Sequence, residues 1–288
     1  MLLAFGRYAD ASGHRGPITH DLALRWIRLP AGAARLYLAR RLEIIRVFAK
    51  HSAAFDPRTQ VPPAGLFGRA HRRRQPHIYS EDEVGALLRQ AARLRPQAGL
   101  RRHTYVTLLG LLAATGLRIS EALHLARADV DLDRGVLTVL GTKFNKSRLV
   151  PLHPSTTTAL RGYAEKRNRF FRSQGGDHFF QDDRGSPLKY CNVFPTLQTL
   201  RGQLGWKNRG IDRPPRFHDF RHTVAVRCLV RSYAENVDVD QRIAALATYL
   251  GHVKVSDTYW YLTAVPELMA LTAARFEAFA TNQRKTSP

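Results

Sequence analysis

The chain has 288 residues, 44% of them hydrophobic, and carries 45 Lys or Arg against 23 Asp or Glu, a formal net charge of +22. That apolar content suffices for a buried core and excludes a disordered polyelectrolyte, while the excess of cations points to a polyanionic partner, because each neutralised phosphate releases condensed counterions. A membrane surface is disfavoured, since no apolar run approaches about 18 residues and no long helix has a single apolar face.

The charge is uneven along the chain. Residues 1–77 hold fourteen Arg or Lys and four Asp or Glu, a net +10 in about a quarter of the sequence. The clearest element there is a helix over 32–52, in which Leu36, Leu38, Leu42, Ile44, Ile45 and Phe48 recur at three- and four-residue steps. Arg35, Arg40, Arg41, Arg46 and Lys50 fill the remaining positions and are candidate phosphate contacts as a set, although any single one of them more often marks a solvated helix face. A shorter helix is expected over 19–29. From 56 to 74 the chain contains Pro57, Pro62, Pro63, Gly65 and Gly68, then Arg72, Arg73 and Arg74, the composition of an extended basic linker. A domain boundary is therefore expected near residue 75, with a helical DNA-binding domain over 1–75 and a second domain over 76–288.

The second domain opens with Ser80, Glu81, Asp82 and Glu83, a capping box that starts a helix running to about residue 94. An almost wholly apolar helix over 105–115 stops at Gly116 and reads as the buried spine. A short helix over 119–125 follows, and then two alternating strands, 136–140 and 148–152, enclose a turn that carries Lys143 at its tip. Further helices are expected over 155–171, 190–204, 218–232, 239–250, 257–263 and 266–279, with a candidate hairpin over 179–188. The fold class is thus mainly α with a small antiparallel β-sheet.

Five separated features now matter together: Arg118 in Ala-Thr-Gly-Leu-Arg-Ile-Ser-Glu, Lys143 in Gly-Thr-Lys-Phe-Asn-Lys-Ser-Arg, His218 and Arg221 in Phe-His-Asp-Phe-Arg-His, Leu250-Gly251-His252, and Tyr261 nine residues after His252. In this order they resemble the signature of the tyrosine recombinases, or phage integrase family, over about residues 78–272. The resemblance implies a helical N-terminal domain, a catalytic domain and a C-terminal helix exchanged between protomers. The family's first domain usually has four or more helices, and 75 residues leave room for fewer.

The chemistry implied by the resemblance fits these residue types. Attack on a phosphodiester builds charge on two non-bridging oxygens, and arginine meets it with a planar fork that never deprotonates. Arg118 and Arg221 match the family's two arginines, and Glu121, three residues past Arg118, is expected to hold it in place. Alternatively, Arg118 and Glu121 form only a structural ion pair. Lys143 aligns with the family's lysine, which protonates the departing 5′ oxygen; Lys146 is the competitor. Tyr261 is the nucleophile, with His218 as proton acceptor and His252 as a donor to the phosphate. A lone tyrosine in Tyr259-Trp260-Tyr261 is by itself more often core filling.

A rival reading takes His218 and His222, at i and i+4, with His252 as metal ligands. The helix lacks the Glu of His-Glu-x-x-His, and Arg221 would repel a cation, so neither metal nor cofactor is expected. His222 is instead a packing or capping residue. Cys191 and Cys228, far apart, fit a cytoplasmic protein with reduced thiols, the opening six residues are too short for a secretory signal, and the DNA partner implied by the resemblance makes the protein nucleoid-associated. The partners implied are double-stranded DNA, four protomers on two DNA sites with a monomer or weak oligomer off DNA, and a candidate accessory DNA-bending protein. The function implied is site-specific DNA recombination for integration, transposition or resolution. A tyrosine-type topoisomerase, a catalytically silent DNA-binding relative and an unrelated DNA-binding regulator remain as alternatives.

Overall fold

Capping and burial decide where the helices of this chain begin and end. The computed structural model describes residues 1–70, 76–141, 147–172, 176–206, 214–235, 237–252, 254–256, 258–259, 269–270, 273 and 277. The chain divides into two compact units, Met1–Arg74 and Gln75–Pro288.

The first unit contains α1 (Leu2–Ala11), α2 (His20–Arg28) and α3 (Arg35–Ala53). Thr19 caps α2 by accepting the Leu22 amide at 3.2 Å, which satisfies one of the donors that every helix start leaves open. Its core gathers Phe5, Leu22, Trp26, Ile27, Leu42, Ile45 and Ala49, with the Phe5 and Trp26 rings edge to face at 5.4 Å. Helix α1 was not expected from the sequence: its first leucines are exposed, only Phe5 is buried, and Gly6 interrupts the pattern.

Two expectations in this unit are corrected. The buried stripe of α3 is Ala39, Arg41, Leu42, Ile45 and Ala49, while Phe48 is exposed and Leu36, Leu38 and Ile44 are only partly covered. Small alanines, invisible to a search for large apolar residues, set the true phase. The stretch read as linker from residue 56 is also not extended away from the unit. The Gln60 amide donates to the Ile18 carbonyl at 2.8 Å, the Gln60 side chain accepts the His20 amide at 2.8 Å, and Val61 and Phe67 pack on the core.

The second unit begins with α4 (Glu81–Ala91), whose capping box forms as expected, with Glu83 N donating to Ser80 Oγ at 3.0 Å and Ser80 N to Glu83 Oε2 at 2.9 Å. Helix α5 (Arg101–Thr115) buries Tyr105, Leu108, Leu109, Leu111 and Leu112 and packs against α4, against α7 (Pro154–Phe170) and against α9 (Phe217–Ala234). It is the spine the sequence indicated. Short helix α6 (Ile119–His124) leads to a three-stranded antiparallel sheet: β1 (Val130–Asp131), β2 (Val136–Val139) and β3 (Arg148–Pro151) in that order. Leu137 of β2 lies opposite Val130 on one side and Val150 on the other, all three buried. The edge strand β1 was not expected, because two residues carry no alternation to read.

Helices α8 (Tyr190–Gln203) and α10 (Val239–Leu250) complete the described α-helices, and a 3-10 turn, Arg127–Asp129, leads into β1. Residues 179–188 form a small antiparallel hairpin around a Gln181–Pro187 bridge, with Asp182 N donating to Ser186 O at 2.9 Å and Leu188 N to Phe180 O at 3.4 Å. The helices expected over 257–263 and 266–279 lie largely outside the described residues. Tyr79 fixes the start of the unit on α9: its ring stacks on Phe220 at 4.3 Å and its amide donates to Thr223 Oγ1 at 2.9 Å.

Candidate active site

Helix α10 ends at Gly251, which takes a left-handed φ of 68°, and its last carbonyls have no partner within the helix. Three successive carbonyls there are each met by a different arginine. Arg148 Nε donates to Tyr249 O at 2.8 Å, Arg221 Nη2 donates to Leu250 O, and Arg118 Nη2 donates to Gly251 O at 3.3 Å. A helix C-terminus carries partial negative charge, so it is a favourable place to collect guanidinium groups. Gly251 is required twice, by its φ and by space, because a Cβ there would sit 2.8 Å from Arg148 Nη1.

The three arginines come from three elements. Arg221 lies in the second turn of α9, which starts one residue earlier than expected, and its side chain is almost fully buried. Its Nη1 donates to Gly116 O at 3.1 Å, so one guanidinium bridges the ends of α5 and α10. Arg118 precedes α6 and keeps 30% of its side chain exposed, against 11% for Arg148 at the start of β3.

Glu121 joins two of them. Its carboxylate accepts Arg118 Nη1 at 2.7 Å and the Arg118 amide at 3.0 Å, and it takes the fork of Arg148 through Nη1 at 3.1 Å and Nη2 at 2.9 Å. Burial by itself pushes its pKa up, but the hydrogen bonds from Arg148 and from the Arg118 amide, followed by the charges, bring the net value below the usual carboxylate range. It is therefore ionised at neutral pH.

The histidines are of two kinds. Asp219, itself buried, accepts the Arg216 amide at 2.7 Å and so fixes the first turn of α9, where His218 stands. The His218 ring keeps solvent access on one side. Its pKa falls below the usual value, first through the protein packed around it and then through Arg221, with Asp219 opposing and Arg216 and Arg118 adding. His222 meets it edge to face at 4.6 Å and is buried, which drives its pKa down to about 3, with His218 and the arginines contributing less. Both rings are neutral at pH 7. Among the described residues no three His, Cys, Asp or Glu are grouped to hold a metal ion.

His252 follows Gly251, and its Nδ1 lies 2.7 Å from Oγ1 of Thr258, which is wholly buried. Tyr259 points its hydroxyl elsewhere, donating to Asp240 Oδ1 at 3.1 Å. A cleft of about 420 Å³ opens beside Arg118 between α6 and the end of β2, reaching Gly141 at the root of the hairpin. Lys143, Lys146, Tyr261, Arg72, Arg73 and Arg74 lie outside the described residues.

The structure thus brings Arg118, Glu121, Arg221 and His252 together around the end of α10, with His218 one turn before Arg221 on α9. Arg148 and Thr258 joined them without having been singled out from the sequence. A signal for Arg148 existed, because it shares the inward phase of β3 with buried Val150; exposed Leu149 between them obscured the alternation. Among the five cations of α3, Arg35, Arg40 and Lys50 are exposed, and Arg46 is half-buried and donates to Pro62 O. Arg41 is a correction. Its guanidinium lies 3.6 Å from the Trp26 ring centre and donates to the Trp26 carbonyl, so it packs the core of the first unit instead of standing exposed on the helix face.

A model of the phage integrase family matches residues 79–267. The chain is 42% identical over 280 residues to the putative integrase/recombinase y4rB of Sinorhizobium fredii, covering 96% of this chain and 89% of that protein. It is 32% identical over 238 residues to the tyrosine recombinase XerD of Halalkalibacterium halodurans, covering 80% of this chain and 71% of that one. The fold is also similar to that of the XerH site-specific recombinase bound to a palindromic difH substrate, with a TM-score of 0.66 at 16% identity over 94% of this chain and 76% of the other.

Proposed function

The chain belongs to the phage integrase family of tyrosine recombinases, enzymes that cleave and rejoin DNA, and from that premise we propose how its residues divide the work. The observation that carries the assignment is the set of guanidinium groups held on successive carbonyls at the end of α10, next to His252 and a neutral His218.

Arg118 and Arg221 hold the two non-bridging oxygens of the scissile phosphate. Both are fixed before DNA arrives, so little reorganisation remains when charge develops. Tyr261 attacks phosphorus and its phenolic proton passes to His218, whose neutral ring is the form able to accept it. The bond to the 5′ oxygen breaks, Lys143 supplies that oxygen with a proton, and the energy of the broken linkage is kept in a 3′-phosphotyrosine. His252 donates from Nε2 to the phosphate while Thr258 holds Nδ1. The tyrosine, the lysine and the arginines suffice for this transesterification without nucleotide or metal. Thr258 and Glu121 act by holding other groups.

The exposed cations Arg35, Arg40 and Lys50, with Arg72, Arg73, Arg74 and Lys146, contact DNA phosphates on double-stranded DNA. Four protomers assemble on two sites in the cytoplasm, exchanging the segment that follows Tyr261, and an accessory DNA-bending protein assists where a site requires it. Integration, transposition and resolution all use this one chemistry. A complete set of Arg, Lys, His, Arg, His and Tyr weighs against a silent DNA-binding relative, and 42% identity to an integrase/recombinase weighs against a topoisomerase.

Trapping on a nicked suicide substrate tests the assignment. Tyr261→Phe binds DNA and forms no covalent adduct, whereas Tyr259→Phe still forms it. An adduct that persists in Tyr261→Phe and vanishes in Tyr259→Phe would move the nucleophile by two residues. Lys143→Ala recovers on a substrate whose 5′ leaving oxygen is sulfur, and recovery of Lys146→Ala instead would move the general acid.

A further inference from the structure

We infer that Arg148 is a positioning residue for the recombination reaction: it sets Arg118 through their shared carboxylate, Glu121. The inference rests on the assignment of Arg118 to the scissile phosphate.

A single planar group makes the connection. Arg148 opens β3, and its Nε holds Tyr249 O at 2.8 Å while Nη1 and Nη2 take the two oxygens of Glu121 at 3.1 and 2.9 Å. Those same oxygens hold the Arg118 side chain at 2.7 Å and its amide at 3.0 Å. The orientation of Glu121, and through it that of Arg118, is therefore fixed from the strand side rather than by α6 alone. The passage under the turn is tight, since Gly251 leaves no room for a Cβ beside Nη1. A surface ion pair would need none of this. Arg148 is 11% exposed and Glu121 6%, so their charges are desolvated and geometry counts.

Lysine cannot reproduce the arrangement, because an ammonium carries its donors on one atom and cannot cap a carbonyl while it also forks a carboxylate. Glu121 released from its fork can rotate, and Arg118 rotates with it. A shift of about 1 Å in a catalytic group costs about 10²-fold in rate.

The test is a double-mutant cycle in full-length protein, read as single-turnover cleavage of a suicide substrate at saturating DNA, with DNA affinity and thermal melting measured in parallel. Arg148→Lys is expected to lower cleavage about 10²-fold with affinity changed by less than about threefold. Because it acts through Arg118, Arg148→Lys combined with Arg118→Lys is expected to cleave no more slowly than Arg118→Lys alone. On DNA whose scissile phosphate has one non-bridging oxygen replaced by methyl, and so has less charge for Arg118 to meet, the Arg148→Lys deficit shrinks in parallel with that of Arg118→Lys. If the two losses multiply, or if Arg148→Lys cleaves normally, the inference is overturned. Normal cleavage by Arg118→Lys overturns instead the assignment on which it rests. Should Arg148→Lys melt below the assay temperature, Glu121→Gln replaces it in the same cycle, with the same outcomes deciding.

Discussion

Two populations of arginine in this chain do opposite things with the same side chain. On α3, Arg35 and Arg40 stand exposed, while at the end of α10 Arg118, Arg148 and Arg221 are drawn in and fixed on carbonyls or on Glu121. The first kind adapts: an unheld guanidinium finds whatever phosphate passes and gives it up again in salt. The second kind has its geometry determined by the fold, which suits a transition state whose oxygens must be met at fixed positions. Arg41 shows that sequence proximity does not assign a residue to either kind, since it lies beside Arg40 and yet serves the core.

The sharpest way to break this contrast is conservative substitution on both sides. Arg221→Lys keeps the charge and is expected to lose about 10² to 10³ in single-turnover cleavage, whereas Arg40→Lys is expected to change nothing in that rate. Equal losses would abolish the distinction. Next in size is stability. Arg41→Ala removes the stack on Trp26 and the bond to its carbonyl and is expected to destabilise the protein by about 2–3 kcal/mol, while Arg40→Ala leaves denaturant midpoints unmoved.

Acid offers a third probe, specific to the second region. His222 titrates at about 3 in the folded chain, against an ordinary value near 6.5, so its contribution is fully present above pH 6.5 and is lost as the pH falls from there toward 3. Between pH 7 and 5 the loss is about 2 kcal/mol, with His218 adding in the same direction. Melting temperature followed against pH should show a drop that flattens in His222→Gln. The smallest effect belongs to the free cations: Arg40→Ala should lower DNA affinity a few-fold and reduce the slope of log K on log salt by about one.

These residues also show what could be read in advance. The helix boundaries were legible where capping chemistry is local, as at Thr19, Ser80, Gly116 and Gly251. The gathering of Arg118, Arg221 and His252 around the end of α10, with His218 one turn before Arg221, could be anticipated because their order along the chain resembles a known signature. What was not legible depends on contacts distant in sequence. The link from Arg148 to Tyr249 spans 101 residues, and that from Arg221 to Gly116 spans 105, so neither leaves a local pattern. The phase of α3 failed for a different reason: alanines at 39 and 49 and the stem of Arg41 fill the interior, while larger residues such as Val47 and Phe48 face solvent.

The bridging of Gly116 and Leu250 by Arg221 carries a further consequence, for the reversibility of the reaction. Two helices, α5 and α10, turn their carboxyl ends toward the arginines, and each end behaves as about half a negative charge. With ionised Glu121 they offset about two of the three guanidinium charges, leaving a fixed field of about one positive charge. A phosphodiester carries one negative charge. The scaffold thus offsets much of its own guanidinium charge, a balance that makes the electrostatic well holding either the intact strand or the phosphotyrosine shallower. An exchange that must proceed and return with equal ease needs that balance.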